Sequence, residues 1–208
     1  GGGGTRQNSV VVGHSIGVEI ALRAMKQHPS QITQVVGLMP FVLTNRKSVL
    51  QSFLSFLVRV RPLVLFVAGL VHVLKKIRPG FLRRVFTKGM DACATKNTLA
   101  WLRFGSVVNM ALMGRTEFVE LADPRGDGDD CGGVLKQHGD KVSFLYCEDD
   151  HWAPTWQASL FDQKYENLAV SVEPSSDVKV EHAFVLLDEA ADLVAARTAA
   201  CLLGRAVR

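Results

Sequence analysis

Acidic charge is absent from a long stretch of this 208-residue chain. Residues 20–90 contain no Asp or Glu but carry twelve Lys and Arg residues, so the remainder has a net charge of −8 although the whole chain is +4. The same stretch is rich in Leu, Val and Phe, so its basic residues border apolar side chains and not stacking aromatics. It also lacks recognised nucleic-acid motifs, and nucleic-acid binding is therefore not expected.

Closely spaced cysteines and long apolar runs are also missing. The four cysteines stand at positions 93, 131, 147 and 201 and form no CxxC pair, which argues against a zinc site and a disulfide framework. The two most apolar segments, 49–57 and 63–74, each fall short of the 18 or more residues of a spanning helix. Arg59, Arg61 and Pro62 separate them, so a simple transmembrane helix is not expected.

The hydrophobic pattern at both ends of the chain predicts an α/β domain. Residues 8–13, a β-branched run closed by Gly, predict a parallel strand covered on both faces. A helix over 16–27, stopped by His28 and Pro29, and a strand over 32–38 complete a βαβ unit. The pattern resumes after a long helical block with a strand over 141–147, a helix over 156–165, a last strand over 169–172 or 178–180, and a helix over 183–203.

The segment Gly13-His14-Ser15-Ile16-Gly17 matches the pattern GxSxG. It lies between a predicted strand and a predicted helix, which is the context of a nucleophile elbow. A sharp turn there strains the backbone of Ser15 and exposes its Oγ above the carboxyl end of the sheet. The amide of Ile16, at the helix N-terminus, would then face a developing oxyanion. The alternative is a Gly-Ser turn that carries no chemistry.

A serine nucleophile needs a base and an orienting carboxylate, and hydrolases of this fold place them in the order Ser, acid, His. His182 lies just before the last predicted helix and is the expected base, with His151 as the competitor. The late strand ends in a cluster of acids, of which Asp150 is the expected orienting carboxylate and Asp149 the next choice. Neither a metal nor an organic cofactor is expected for such a site.

The combination of these motifs resembles the lipid-droplet-associated hydrolases. The residues that carry the resemblance are Gly-His-Ser-Ile-Gly, Asp-x-Trp-x-Pro from Asp150 to Pro154, and His-Ala-Phe-Val-Leu from His182 to Leu186. It implies an α/β-hydrolase fold, with Ser15 as nucleophile, Asp150 as acid and His182 as base. It also implies lipid ester substrates, sterol esters among them, and a location at the cytosolic face of lipid droplets or the endoplasmic reticulum.

The position of Ser15 departs from the usual pattern of this fold, because only fourteen residues precede it. The chain also begins without Met. We therefore expect an N-terminally truncated parallel sheet whose first half and second oxyanion donor lie upstream. Losing one such donor costs about 10²–10³ in rate. The chain as written is accordingly expected to be poorly soluble and inactive, and the whole protein to be a hydrolase.

The basic, apolar block is interpreted as a helical cap inserted into the hydrolase core. Residues 1–40 and 139–208 are assigned to the core, and 41–138 to a lipid-facing cap. Two short apolar helices bent at Pro62 could lie in a droplet monolayer or membrane surface, with the neighbouring cations at anionic headgroups. The alternative is a buried helix pair with a solvated basic rim.

The acidic loop and the competing functions complete the predictions from sequence. The acidic loop 123–130 lacks the ligand spacing and closing Glu of a calcium loop, so it is not expected to bind metal. The favoured function is a serine lipid esterase, and a thioesterase or acyltransferase would use the same triad. The competing class is a lipid-surface binding protein that keeps the hydrolase scaffold with little turnover.

Overall fold

The computed structural model describes residues 8–45, 47–121 and 130–203, and these divide into two compact units. The first comprises Gly1–Asn45, Ala122–Phe184 and Asp192–Arg208, and the second comprises Arg46–Leu121 and Val185–Ala191. The sequence placed the boundaries of the insertion at 41 and 138, and that division into core and cap stays a prediction.

The first unit is built on a parallel sheet with the strand order β1-β2-β3-β4. The strands are β1 Ser9–His14, β2 Ile32–Leu38, β3 Val142–Cys147 and β4 Ala169–Glu173. The helices are α1 Ile16–Gln27, α7 Asp130–His138 and α8 Thr155–Lys164, followed by α9, Asp188–Leu202, which the division into units crosses. Because the strands are parallel, all four carboxyl ends meet at one edge of the sheet.

A single apolar cluster holds the sheet and its helices together. Leu22 and Met25 of α1 pack with Val35 of β2, Phe144 of β3 and Phe161 of α8, and these residues are almost entirely buried. Burying a side chain of this size contributes roughly 1.5–3 kcal/mol relative to leaving it exposed. α7 packs against α1 in the same cluster, although the sequence analysis placed it in the insertion.

The first strand differs from its prediction in burial. Val10 and Val12 are 50% and 48% exposed, whereas Val35 and Val36 of β2 are fully buried. β1 pairs only with β2 among the described residues and is the edge strand of the sheet. The β-branched run therefore predicted the strand correctly, but the prediction that both of its faces are covered is wrong.

The last helix is shorter than predicted. Its expected start at residue 183 lies in a turn that is followed by a 3₁₀ segment, Phe184–Leu186, and α9 begins only at Asp188. Asp188 and Glu189 lie in the first turn of α9, where their charge complements the positive end of the helix dipole. His182 consequently stands in a loop before the helix.

The second unit contains a group of helices: α2 Val49–Arg59, α3 Arg61–Ile77, α4 Pro79–Phe86, α5 Ala92–Trp101 and α6 Phe104–Glu120. Two starts have side-chain caps, since Ser48 accepts a hydrogen bond from the amide of Gln51 and Asp91 accepts one from Ala94. Ala68, Val71, Leu82, Leu102 and Val107 form its buried centre.

The bend between α2 and α3 lies at Val60, and the expectation of a bend at Pro62 is wrong. Pro62 lies in the first turn of α3, where no intrahelical N–H is lost. Within the described residues, no single helix has the length and apolarity of a membrane span. α2 and α3 meet that criterion only as a pair, and they are bent by 97° at their junction.

Candidate active site

Ser15 occupies a strained turn between β1 and α1. Its backbone has φ 55° and ψ −125°, in the left-handed half of conformational space that residues with a side chain rarely adopt. The turn is held by main-chain bonds, because Ser15 N donates to Leu38 O and Ser15 O accepts from Phe41 N. The end of β2 therefore fixes the position of the serine.

The glycines that flank Ser15 are not equivalent. A Cβ on Gly13 would lie 2.6 Å from Gly17 O and 2.8 Å from Val18 N, both backbone atoms, so no side chain fits there. A Cβ on Gly17 would meet nothing within 4 Å. Close approach of the chain requires glycine only at the first of the two motif positions.

The Ser15 side chain is directed away from its own helix. Ser15 is the N-cap of α1, yet its Oγ makes no capping hydrogen bond. Serine at this position commonly accepts a bond from the second or third helical amide. Here Oγ lies instead 2.7 Å from Nε2 of His182. The turn thus directs the hydroxyl to the imidazole of a residue 167 positions further along the chain.

Asp150 follows β3 and is held from two directions. Its Oδ1 accepts hydrogen bonds from the amides of Trp152, at 2.7 Å, and Ala153, at 3.0 Å. Its Oδ2 lies 2.7 Å from Nδ1 of His182, and the residue is only 3% exposed. With the proton on Nδ1, His182 donates to Asp150 and its Nε2 accepts from the Ser15 hydroxyl.

The alternative acid and base lie elsewhere. Asp149 is exposed, and its Oδ2 accepts a hydrogen bond from Ser175 Oγ at 2.5 Å. The imidazole of His151 is tilted against Trp152, with the ring centroids 5.6 Å apart. The structure therefore brings Ser15, His182 and Asp150 into one hydrogen-bonded chain, and it joins Asp149 to Ser175.

The main-chain amide of Ile16 begins α1 directly beside Ser15. The first N–H groups of a helix have no intrahelical acceptor, and the helix dipole adds positive potential at this end. The Ile16 amide is therefore at the position, directly after the serine, that supplies an oxyanion donor in nucleophile elbows.

His14 lies at the site, although the sequence analysis gave it no role beyond its place in the GxSxG motif. Its Nε2 donates to the main-chain oxygen of His182 over 2.8 Å, and its ring contacts Phe184 edge-on at 5.1 Å. Burial lowers the pKa of His14 from 6.5, although the bond to His182 opposes the effect. The only sequence signal for this role is its place beside Ser15, since its partner lies 168 residues further on.

Aromatic rings form part of the surroundings of His182. The ring centroids of Trp152 and His182 are 6.1 Å apart. Phe41 contacts Trp152 edge-on, with the ring centroids 5.6 Å apart. Phe41 is buried, and Trp152 is half-buried. The tryptophan belongs to the Asp-x-Trp-x-Pro motif, but its place beside the base could not be derived from that spacing.

Besides a serine, hydrolases use a cysteine thiol or a bound metal ion as the catalytic group. Cys147 ends β3, where burial and nearby carboxylates, Asp150 first, raise the pKa of its thiol to about 12. No group of three or more metal-ligating side chains occurs among residues 8–45, 47–121 and 130–203. The acidic loop lies outside the described residues, apart from Asp130 at the start of α7.

Comparison with solved structures identifies the fold. MGS-M2, an α/β hydrolase from a Medee basin deep-sea metagenome library, superposes with a TM-score of 0.55 at 16% identity, over 95% of this chain and 64% of its own. The haloalkane dehalogenase DatA from Agrobacterium tumefaciens gives a TM-score of 0.69 at 12% identity, over 96% and 68%. The peroxisomal α/β-hydrolase Lpx1 from Saccharomyces cerevisiae gives 0.54 at 17%, over 91% and 51%. The predicted α/β-hydrolase fold is confirmed.

The family follows from a sequence match. The family model of the lipid-droplet associated hydrolases matches residues 4–185, so the chain belongs to this family and the resemblance is confirmed. A comparison with curated proteins found no match. The chain spans slightly less than two thirds of the length of MGS-M2, at 64%.

Proposed function

We propose that the protein containing this chain is a serine hydrolase of lipid esters. The observation that carries the proposal is the chain of two 2.7 Å contacts from Ser15 Oγ through the His182 ring to Asp150 Oδ2. Nucleophile, base and orienting carboxylate are the parts that this chemistry requires, and here they stand in hydrogen-bond contact. Membership of the lipid-droplet associated hydrolases supports the same class.

The reaction proceeds through an acyl-enzyme. Ser15 Oγ attacks the ester carbonyl as its proton passes to His182 Nε2, and Asp150 stabilises the imidazolium that forms. The oxyanion of the tetrahedral intermediate accepts a hydrogen bond from the Ile16 amide. His182 then returns the proton to the leaving alcohol, and the C–O bond breaks. Water, deprotonated by His182, releases the acid and regenerates Ser15.

The substrate class rests on the family and on apolar side chains near the base. Sterol esters and other fatty acyl esters are the proposed substrates, and the half-buried ring of Trp152 offers aromatic surface close to His182. A thioesterase or an acyltransferase would use the same three residues. The acceptor, water or another alcohol, distinguishes those activities, and product analysis with a sterol ester measures it.

A fluorophosphonate probe tests the nucleophile. The probe reacts with an activated serine, so we expect labelling of the protein to disappear in Ser15→Ala. Ser176→Ala is the matched control, because Ser176 is exposed and its Oγ donates only to the nearby Val178 oxygen. Labelling that persists in Ser15→Ala would place the nucleophile at another residue.

We also propose association with a lipid surface, at the cytosolic face of lipid droplets and the endoplasmic reticulum. Phe66, Leu70, Val73 and Ile77 follow one face of α3 at helical spacing and are 46–66% exposed. The opposite face of α3, with Val64, Ala68 and Val71, is buried. Apolar side chains on a solvent-facing stripe of this kind are typical of a helix that lies in a lipid interface.

Droplet binding of matched double variants tests this association. Phe66→Gln with Leu70→Gln should reduce recovery of the protein on isolated droplets several-fold, because about 25 cal/mol is lost per Å² of apolar contact. Ile20→Gln with Leu203→Gln removes two exposed apolar side chains from the first unit and should leave recovery unchanged. Equal losses in both variants would count against α3 as the contact.

The exposed stripe on α3 also favours a second candidate function, a lipid-surface binding protein with little turnover. This candidate retains droplet binding but does not require an activated serine. Fluorophosphonate labelling separates the two candidates: a folded protein that binds droplets and is not labelled would be assigned to the binding class.

A further inference from the structure

Trp152 lies beside the base but has no part in the proton transfers proposed above. Its ring centroid is 6.1 Å from that of His182, and the planes of the two rings are tilted by 42°. Trp152 is half-buried, which leaves part of the residue accessible. An aromatic side chain in this position can contact a substrate without taking part in the chemistry.

The main chain of Trp152 is fixed at the acid end of the triad. Its amide donates to Asp150 Oδ1 over 2.7 Å, and the next amide, that of Ala153, donates to the same oxygen over 3.0 Å. The other carboxylate oxygen, Oδ2, contacts Nδ1 of His182. The backbone of Trp152 is therefore tied to the carboxylate that orients the base.

The indole ring contacts a residue that is tied to the serine end of the triad. Phe41 is buried and meets the indole of Trp152 edge-on, with the ring centroids 5.6 Å apart. The amide of Phe41 donates to the main-chain oxygen of Ser15 over 3.2 Å. With its main chain on Asp150 and its ring against Phe41, Trp152 lies alongside the imidazole of His182 from the acid towards the serine.

A further ring contact holds the indole in place. The ring of His151 lies 5.6 Å from that of Trp152, with the planes tilted by 42°. A side chain that is fixed by neighbouring rings and by its own main-chain bond loses little freedom when a ligand binds. The indole is therefore a preorganised apolar surface, and such a surface favours ligands of complementary shape.

The geometry of acyl transfer determines which part of an ester approaches Trp152. In the tetrahedral intermediate, the former carbonyl carbon carries Ser15 Oγ, the oxyanion at the Ile16 amide, the alcohol oxygen and the acyl chain. The alcohol oxygen must come within about 2.6–3.2 Å of His182 Nε2, because it receives the proton there. The acyl chain takes the remaining direction. A group beside His182 therefore contacts the alcohol part of the ester.

We propose that Trp152 is a specificity-determining residue for the alcohol part of the ester, and that its indole favours flat, rigid apolar alcohols over flexible alkyl alcohols. The inference rests on the proposed hydrolase function and adds to it the residue that selects the leaving group. A flat alcohol contacts the ring face over a large area, whereas a flexible chain loses rotational freedom when it lies against the same face.

Hydrolysis of matched esters by the whole protein tests this role. Cholesteryl butyrate and hexyl butyrate form the same acyl-enzyme and are compared in the same detergent micelles. The ratio of their kcat/KM values, cholesteryl over hexyl, should fall about tenfold in Trp152→Leu, and Trp152→Phe should recover part of the loss. Trp156→Leu is the matched control, since Trp156 is 41% exposed on α8, and its ratio should stay within about twofold of the wild type.

A second pair of esters separates the alcohol side from the acyl side. Hexyl butyrate and hexyl octanoate differ only in the acyl chain, so the ratio of their kcat/KM values should stay within about twofold in Trp152→Leu. A change in this ratio alone would place Trp152 on the acyl side and overturn the proposal. Equal losses for every ester would mean that the indole only positions His182, which would also overturn it.

Failure of this proposal is distinguishable from failure of the proposed hydrolase. A wild-type protein that reacts with fluorophosphonate and hydrolyses both butyrates, with an unchanged ratio in Trp152→Leu, would overturn the role of Trp152 alone. Absence of both labelling and turnover in the wild type would overturn the hydrolase as well. Thermal unfolding and fluorophosphonate labelling of the variants check that they fold with the serine intact.

Discussion

His14 Nε2 lies 2.8 Å from the main-chain oxygen of His182. His14, which directly precedes Ser15, therefore holds the backbone of His182, and the ring of His182 contacts Ser15 Oγ. The two imidazole rings lie 5.2 Å apart and are tilted by 43°. The turn thus carries both the Ser15 hydroxyl and a fixed point for the loop that carries His182. The ring of His182 is held in addition by its contact with Asp150.

Removing this fixed point should impair catalysis more than folding. A neutral hydrogen bond contributes about 1 kcal/mol, which corresponds to roughly a fivefold change in kcat if it acts on the position of the base. We therefore expect His14→Ala to lower kcat for a soluble ester several-fold with little change in KM. His14→Gln, whose amide can donate to the same oxygen, should recover part of the loss. A change in KM alone would contradict a positioning role.

The pKa of His14 also predicts a dependence of stability on pH. Burial lowers this pKa in the folded state below its ordinary value of 6.5, so the unfolded chain binds the proton more readily. The contribution of His14 to stability is therefore complete above pH 6.5 and is lost as the pH falls through the lowered folded-state pKa. Thermal unfolding from pH 8 to pH 5 should show a smaller decline in Tm for His14→Gln than for the wild type. Parallel curves would contradict the assignment.

The features of this site that the sequence predicts are those encoded by residues close together in the chain. The turn at Ser15 needs a strand, two small residues and a helix within about twenty residues, and the hydrophobic pattern carries all of them. The partners of Ser15 follow from their chain order relative to the late strand and the last helix. The bond from His14 to His182 depends on the path of a loop 168 residues away, which no local pattern encodes.

The same distinction explains the errors in the predicted fold. The β-branched run predicted β1 correctly, but the exposure of Val10 and Val12 depends on which elements cover the sheet, not on the strand itself. The start of α9 at Asp188 and the bend at Val60 differ from prediction by a few residues, because caps and turns compete closely at helix ends. In the second unit, only the three-dimensional structure shows that Lys75 of α3 caps the C-terminal end of α5, where its Nζ donates to the main-chain oxygen of Leu99.

Asp150 and Asp149 should respond differently to the same conservative change. In Asp150→Asn an NH₂ group can replace the oxygen that accepts from Nδ1 of His182, and an NH₂ group cannot accept that bond. The imidazole then favours the wrong tautomer, which costs about 10⁴ in kcat in serine hydrolases of this type. Asp149→Asn alters only the bond with Ser175 at an exposed position and should leave kcat within about twofold. Measured kcat for a soluble ester decides between them, and a large loss in Asp149→Asn would reverse the assignment of the acid.

The two glycines of the serine turn should differ in the sign of their effect on stability. Gly13→Ala places a Cβ within 2.6–2.8 Å of the backbone of Gly17 and Val18, which must shift, so we expect about 1–3 kcal/mol of destabilisation and loss of fluorophosphonate labelling. Gly17→Ala puts a methyl group into open space within α1, where alanine is the better helix former by about 1 kcal/mol. Urea unfolding measures both. Destabilisation of equal size at Gly17 would mean that the turn needs glycine at both motif positions.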